Sequence, residues 1–238
     1  MKIPPREPLR LTTWKTVYDM FLACLLEDSE NPRAKYRTGY LVQNVSEERE
    51  KICVTYYNGN DATQGVVEAD IVIAADGAHS TIRNKIDPGM SPKYAGYVSW
   101  RGRVPESALS ASTLKALRNR CVIHRVDGGY QISYYVPAGT NSARAGERDF
   151  VFIWYDTLPE GSPEFEQTMT DVDGKIHNTT VPRGKIIPEV WRHLLDRNST
   201  AGNPTFIELV GKIREPFVSA IRDFQGSKAV FLHGKLLL

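Results

Sequence analysis

Apolar side chains recur along this chain with two different periods, and the changes of period mark its organisation. Trp14, Val17, Tyr18, Phe21, Leu22 and Leu25 fall at helical spacing behind Thr12 or Thr13 as a cap. They predict an amphipathic helix that ends near Glu27. Residues 1–13 ahead of it are proline-rich and read as extended. Alternation then takes over. Residues 39–45 and 51–57 read as strands, with Asn58-Gly59 as a hairpin turn behind the second. Residues 66–75 follow, and from Ile71 to Ala75 every position is apolar. Such a run predicts a strand buried on both faces, inside a parallel sheet covered by helices.

Beyond Pro88-Gly89 the pattern becomes β-rich. Residues 97–104, 121–126, 130–136 and 150–155 are dense in aromatic and branched side chains, with Asp127-Gly128-Gly129 as a tight turn. One helix, residues 110–118, interrupts them. The pattern predicts a mostly antiparallel sheet, hence a second layer or domain. Residues 158–184 read as a loop rich in Gly, Pro, Asp and Thr. Ile187, Val190, Trp191, Leu194 and Leu195 mark a helix with Pro188 in its first turn. Phe206, Leu209, Val210 and Ile213 mark another behind Asn203-Pro204. Phe217, Ala220, Ile221 and Phe224 keep helical spacing, but Pro216 and the shortness of the stretch leave it undecided. Residues 228–232 read as a last short strand. The fold class is mixed α/β and α+β.

Composition narrows the function classes. The 238 residues suffice for one large or two small domains. Thirty basic residues face 28 acidic ones, and no basic run or stripe stands out, which argues against nucleic acid and anionic membranes as partners. The longest apolar segment, residues 21–26, is far too short to cross a bilayer, and the first residues lack the apolar centre of a signal peptide. Three widely spaced cysteines (Cys24, Cys53 and Cys121) make no CxxC and read as reduced structural thiols in a cytoplasmic protein. Three Asn-x-Ser/Thr matches then count as chance. There is no GxGxxG, P-loop, HExxH or GxSxG, and the five histidines have no metal-ligand spacing. Asp171-Val172-Asp173-Gly174 lacks the rest of a calcium loop and reads as a turn.

The chemistry concentrates at Asp70-Ile71-Val72-Ile73-Ala74-Ala75-Asp76-Gly77-Ala78-His79-Ser80-Thr81-Ile82-Arg83, where an apolar strand runs into an Asp-Gly turn and a helix start. Gly77 allows close backbone approach, the helix start favours phosphate, and Arg83 adds positive charge. The same junction also occurs as a plain turn in α/β proteins. The stretch resembles the internal Asp-Gly motif of FAD-dependent aromatic hydroxylases of the p-hydroxybenzoate hydroxylase type. The resemblance continues through Tyr94-Ala95-Gly96-Tyr97-Val98-Ser99-Trp100-Arg101-Gly102, Phe152-Ile153-Trp154-Tyr155, Val181-Pro182-Arg183-Gly184-Lys185-Ile186-Ile187-Pro188 and Glu215-Pro216-Phe217-Val218-Ser219. Together these are most similar to the 2,6-dihydroxypyridine 3-monooxygenase branch.

The resemblance implies a partial FAD/NAD(P)-binding, Rossmann-like domain over residues 1–90 with the Asp-Gly motif. It implies an antiparallel-sheet substrate-binding domain over 91–224 and a truncated return strand of the first domain over 225–238. It maps Asp76, Gly77 and Arg83 to cofactor contacts. It implies FAD as cofactor, NAD(P)H as co-substrate, and hydroxylation of a small aromatic or N-heteroaromatic ring, with a homodimer admitted. The family's GxGxxG unit and its Gly-Asp motif after the last strand are not matched, so the chain reads as an internal fragment. With one motif of three, it is expected to bind FAD weakly or not at all and not to turn over alone. Trp100, Tyr135 and Trp154 read either as pocket walls or as sheet core, and His124 either as a base or as a strand-surface histidine. No catalytic residue is assigned. The alternative is a non-catalytic binding module derived from the substrate domain.

Overall fold

The computed structural model describes residues 12–26, 34–138, 144, 146–224, 226 and 228–238. The predicted end of the first helix near Glu27 and the extended reading of residues 1–11 lie outside them. In chain order the elements are α1 (Trp14–Leu26), β1 (Tyr40–Glu48), β2 (Lys51–Asn58), β3 (Thr63–Ala69), β4 (Val72–Ile73) and α2 (Thr81–Ile86). Then come β5 (Lys93–Pro105), α3 (Ala111–Leu117), β6 (Val122–Val126), β7 (Gly129–Pro137), β8 (Arg148–Thr157), α4 (Pro163–Met169) and β9 (Thr180–Val181). The chain closes with α5 (Pro188–Thr200), α6 (Pro204–Gly211), β10 (Phe217–Asp223), β11 (Val230–Phe231) and β12 (Leu236–Leu237). They form two compact units. One comprises Tyr94–Arg222 with the start of α1, and the other Ala23–Lys93 with Asp223–Leu238.

In the larger unit a six-stranded sheet runs in the order β6-β7-β8-β5-β10-β9. Pairing is antiparallel for β6/β7, β7/β8, β8/β5 and β9/β10. Alternation decides which face is covered. Val98, Trp100 and Val104 on β5 meet Phe150, Phe152 and Trp154 on β8 in one buried layer, with Trp100 opposite Trp154. Leu117, Leu194, Phe206, Leu209 and Val210 from α3, α5 and α6 close that layer. At Gly129 a Cβ would stand 1.9 Å from the Tyr155 carbonyl oxygen, so glycine is required for β7 to approach β8 there.

The smaller unit holds an antiparallel β1-β2-β3 sheet and a small β11-β12-β4 sheet, in which β12 and β4 are parallel. Val45, Ile52, Ile82 and Leu236 form its buried cluster. Asn58-Gly59 does open the β2–β3 turn.

Three expectations change. The apolar run at residues 71–75 forms only the two-residue β4 at a sheet edge, with Ile71 61% and Ile73 72% exposed. Among the described residues β12 is its one strand neighbour, so the run is not sandwiched. The stretch from Phe217 is strand β10, because alternation buries Val218 and Ala220 in the core of the larger unit. The loop at residues 158–184 contains α4, capped by Ser162 with Pro163 in its first turn, and the short β9.

Candidate cofactor turn and buried charge pairs

The turn between β4 and α2 brings Asp76, Gly77 and Arg83 together. Ser80 caps α2 by accepting the Arg83 backbone N–H at 2.9 Å, and Asp76 Oδ2 accepts that of Ile82 at 3.3 Å. Burial pushes the Asp76 carboxyl up, but hydrogen bonds from Ser80 and the backbone N–H groups of the turn outweigh it and hold it below its ordinary value. Arg83 reaches back over the turn. Its Nη1 donates to the Gly77 carbonyl at 3.1 Å and its Nη2 to that of Ala78 at 2.6 Å, while its guanidinium lies 3.5 Å over the Phe224 ring. Arg83 Nε is buried without a partner among the described residues.

Gly77 adopts φ +78°, and among the described residues nothing stands within 4 Å of where its Cβ would be. The backbone at this point is therefore left-handed, open on its side-chain face and held through the Gly77 and Ala78 carbonyls by Arg83. Both terminal nitrogens of Arg83 thus hold the turn itself.

In the larger unit, charged groups enter the core as pairs. Asp156, 2% exposed, accepts from both terminal nitrogens of Arg197 at 2.8 Å and from the Trp100 indole at 3.3 Å. Glu106 accepts from Arg148 Nε at 2.9 Å, Arg148 Nη2 at 2.6 Å and the Gly146 backbone at 2.7 Å. The Arg148 contact holds the Glu106 carboxyl below its usual range against the opposing effect of burial. Clefts of about 430 and 170 Å³ lie on this unit, and Arg197 lines both. None of these pairs has a sequence signal, since the partners stand 41 and 42 residues apart.

Trp100 and Trp154 are buried in the sheet core, 3% and 1% exposed, and each also lines a cleft, Trp154 the larger and Trp100 the smaller. Tyr135 packs against the same core with Arg148 over its ring. His124 shares a 3.2 Å hydrogen bond with Gln131 and stacks on Phe206, so the strand architecture occupies it. Asp171 does organise a turn: it accepts the backbone N–H groups of Asp173 and Lys175 and pairs with His177 at 2.7 Å. Among the described residues no group of His, Cys, Asp or Glu is placed to hold a metal ion, and no helix is long and apolar enough to cross a membrane.

Comparison with known proteins places the chain among flavoprotein relatives. It is 29% identical over 204 residues to the 2,6-dihydroxypyridine 3-monooxygenase of Paenarthrobacter nicotinovorans, covering 86% of this chain and 48% of that protein. The structure of 2,6-dihydroxypyridine-3-hydroxylase from Arthrobacter nicotinovorans superposes with a TM-score of 0.68 at 28% identity, over 87% of this chain and 49% of that one. A salicylate hydroxylase substrate complex shares the fold, with a TM-score of 0.61 at 18% identity over 94% of this chain and 48% of that one. The chain thus spans about half the length of the relatives it matches. A family model described as FAD binding domain-like covers residues 94–223, more than half of the sequence, and the chain belongs to that family.

Proposed function

We propose that this chain contributes to an FAD-dependent monooxygenase that hydroxylates a small aromatic or N-heteroaromatic ring with NAD(P)H and O₂. The observation that carries the reading is the likeness to a ring monooxygenase across 86% of the chain. The turn geometry supports it. Gly77 and Asp76 would contact FAD, with Arg83 holding the turn in shape. The unit Ala23–Lys93 with Asp223–Leu238 would be the cofactor side, and Tyr94–Arg222 the substrate side. When bound, FAD supplies the redox chemistry that activates O₂. The chain's own residues bind and orient. Three free thiols suit a reducing, cytoplasmic setting.

The test is a titration of FAD with the purified chain, followed by flavin fluorescence. Weak binding, with a dissociation constant of about 0.1–1 mM, is expected, with Gly77→Val weakening it further, because a branched side chain strains a positive φ and fills the open face. Arg83→Gln should weaken it less. Absence of FAD binding at about 1 mM, or equal binding by Gly77→Val, overturns the assignment of the turn.

A further inference from the structure

One end of the six-stranded sheet gathers exposed cations from three segments of the chain. A cleft of about 660 Å³ is lined by Arg103 near the end of β5, Arg183 after β9, and Lys212 and Arg214 between α6 and β10. All four side chains belong to exposed residues, and none makes an ion pair or hydrogen bond among the described residues. Arg183 only lies over the Phe217 ring, at 5.4 Å. Four cations elsewhere in the same unit do meet acids: Arg148 with Glu106, Arg197 with Asp156, Arg222 with Glu160 and Lys185 with Asp173. Here the acids in the lining are Asp149 and Glu215, so four cations face two carboxylates in the cleft wall, with Glu208 acting on Lys212 from outside it. That excess equals the formal +2 of the entire chain, whose remaining charges therefore balance.

Like charges brought together from separate segments repel, and within about 8–10 Å of one another salt does not fully screen them. A concave wall focuses their field further. Guanidinium groups converging from different strands and loops match an oxyanion with several terminal oxygens, each pair of N–H donors taking a pair of oxygens. We propose that this cleft binds a small molecule through a phosphate or diphosphate group carrying at least two negative charges. A tetrahedral phosphate offers three outward oxygens to cations from three segments, which a planar carboxylate does not. The site lies wholly within Tyr94–Arg222 and does not depend on the role of the Asp76–Gly77 turn.

The experiment is calorimetric titration of the full chain with inorganic pyrophosphate at about 0.15 M salt. A dissociation constant below about 1 mM is expected. The double variant Arg103→Gln/Arg214→Gln should weaken binding about tenfold or more, with an unchanged circular dichroism spectrum. Lys212→Gln alone should give a smaller loss in the same direction, which keeps the test informative if the double variant folds poorly. Arg192→Gln, a surface change outside the cleft, should bind as the parent does. No binding at millimolar pyrophosphate overturns the proposal, as does an equal loss in Arg192→Gln. Co-sedimentation with phosphatidylserine vesicles without any pyrophosphate binding would assign the patch to a membrane headgroup and also overturn it.

Discussion

Tyr94 shows how one buried group can set a pH limit. Its hydroxyl donates to the Leu158 carbonyl at 2.8 Å. Burial first, then the Glu160 and Asp156 carboxylates, push its phenol up from 10.0 to about 12. The neutral form is favoured in the folded state. The stability it contributes is therefore complete below pH 10 and is lost as pH rises from there through about 12. Tyr94→Phe should lower stability at pH 8 by about 1 kcal/mol, the net worth of the hydrogen bond. It should also flatten the decline between pH 8 and 11. Urea midpoints of both proteins at the two pH values check this, and an equal decline in the variant refutes it. At this scale the sequence was legible where chemistry is local. Asp76, Gly77 and Arg83 are close in the chain and do share one turn. The Phe224 ring under Arg83 was not legible, because chain proximity says nothing about a residue 141 positions away.

Among the elements, the β1–β2 hairpin carries a visible conflict. Its two loop residues, Arg49 and Glu50, sit at φ 47° and 67°. Positive φ at both central positions is the signature of a type I′ turn, which Asn-Gly satisfies far better than two long side chains. Replacing Arg49-Glu50 by Asn-Gly should stabilise the protein by about 1 kcal/mol. Urea denaturation measures it, and a destabilised variant would show that the Arg49 or Glu50 side chain holds the turn instead. Propensity reading succeeded for α5 and α6, where Pro in the first turn and an apolar stripe agree with the packing. It left β10 undecided because positions 217, 220, 221 and 224 fit helical spacing as well as a strand does. Burial of Val218 and Ala220 against the helices settled the matter. It also over-weighted the apolar run before Asp76, since a pattern cannot supply the neighbouring strands that such a run calls for.

For the molecule as a whole, the two units differ in how much apolar surface they enclose. Among the described residues, eighteen buried side chains form the cluster of the larger unit and four that of the smaller. Each fully buried side chain is worth about 1.5–3 kcal/mol, so the smaller unit should open first. Reporters are already in place. Cys53, 8% exposed, lies in the smaller unit, while Trp100, Trp154 and Trp191 lie in the larger one. In rising urea, reaction of the Cys53 thiol with a chromogenic disulfide should precede the change in tryptophan fluorescence. Cys24 and Cys121 are exposed and should react in the native state. Coincident transitions would show that the units unfold as one.

Local periodicity and short-range turn chemistry identified the helices at residues 14 and 188, the hairpin turn at Asn58-Gly59, the antiparallel character of the strands after residue 97, and the family. Each is written in neighbouring residues. Three things waited for the tertiary structure: which face of the six-stranded sheet is covered, the Asp156–Arg197 and Glu106–Arg148 pairs, and the cluster of cations at the end of β5. The physical reason is one of range. Backbone preference acts over a few residues, whereas burial, charge pairing and the concentration of like charge depend on which distant segments the fold brings within a few ångströms.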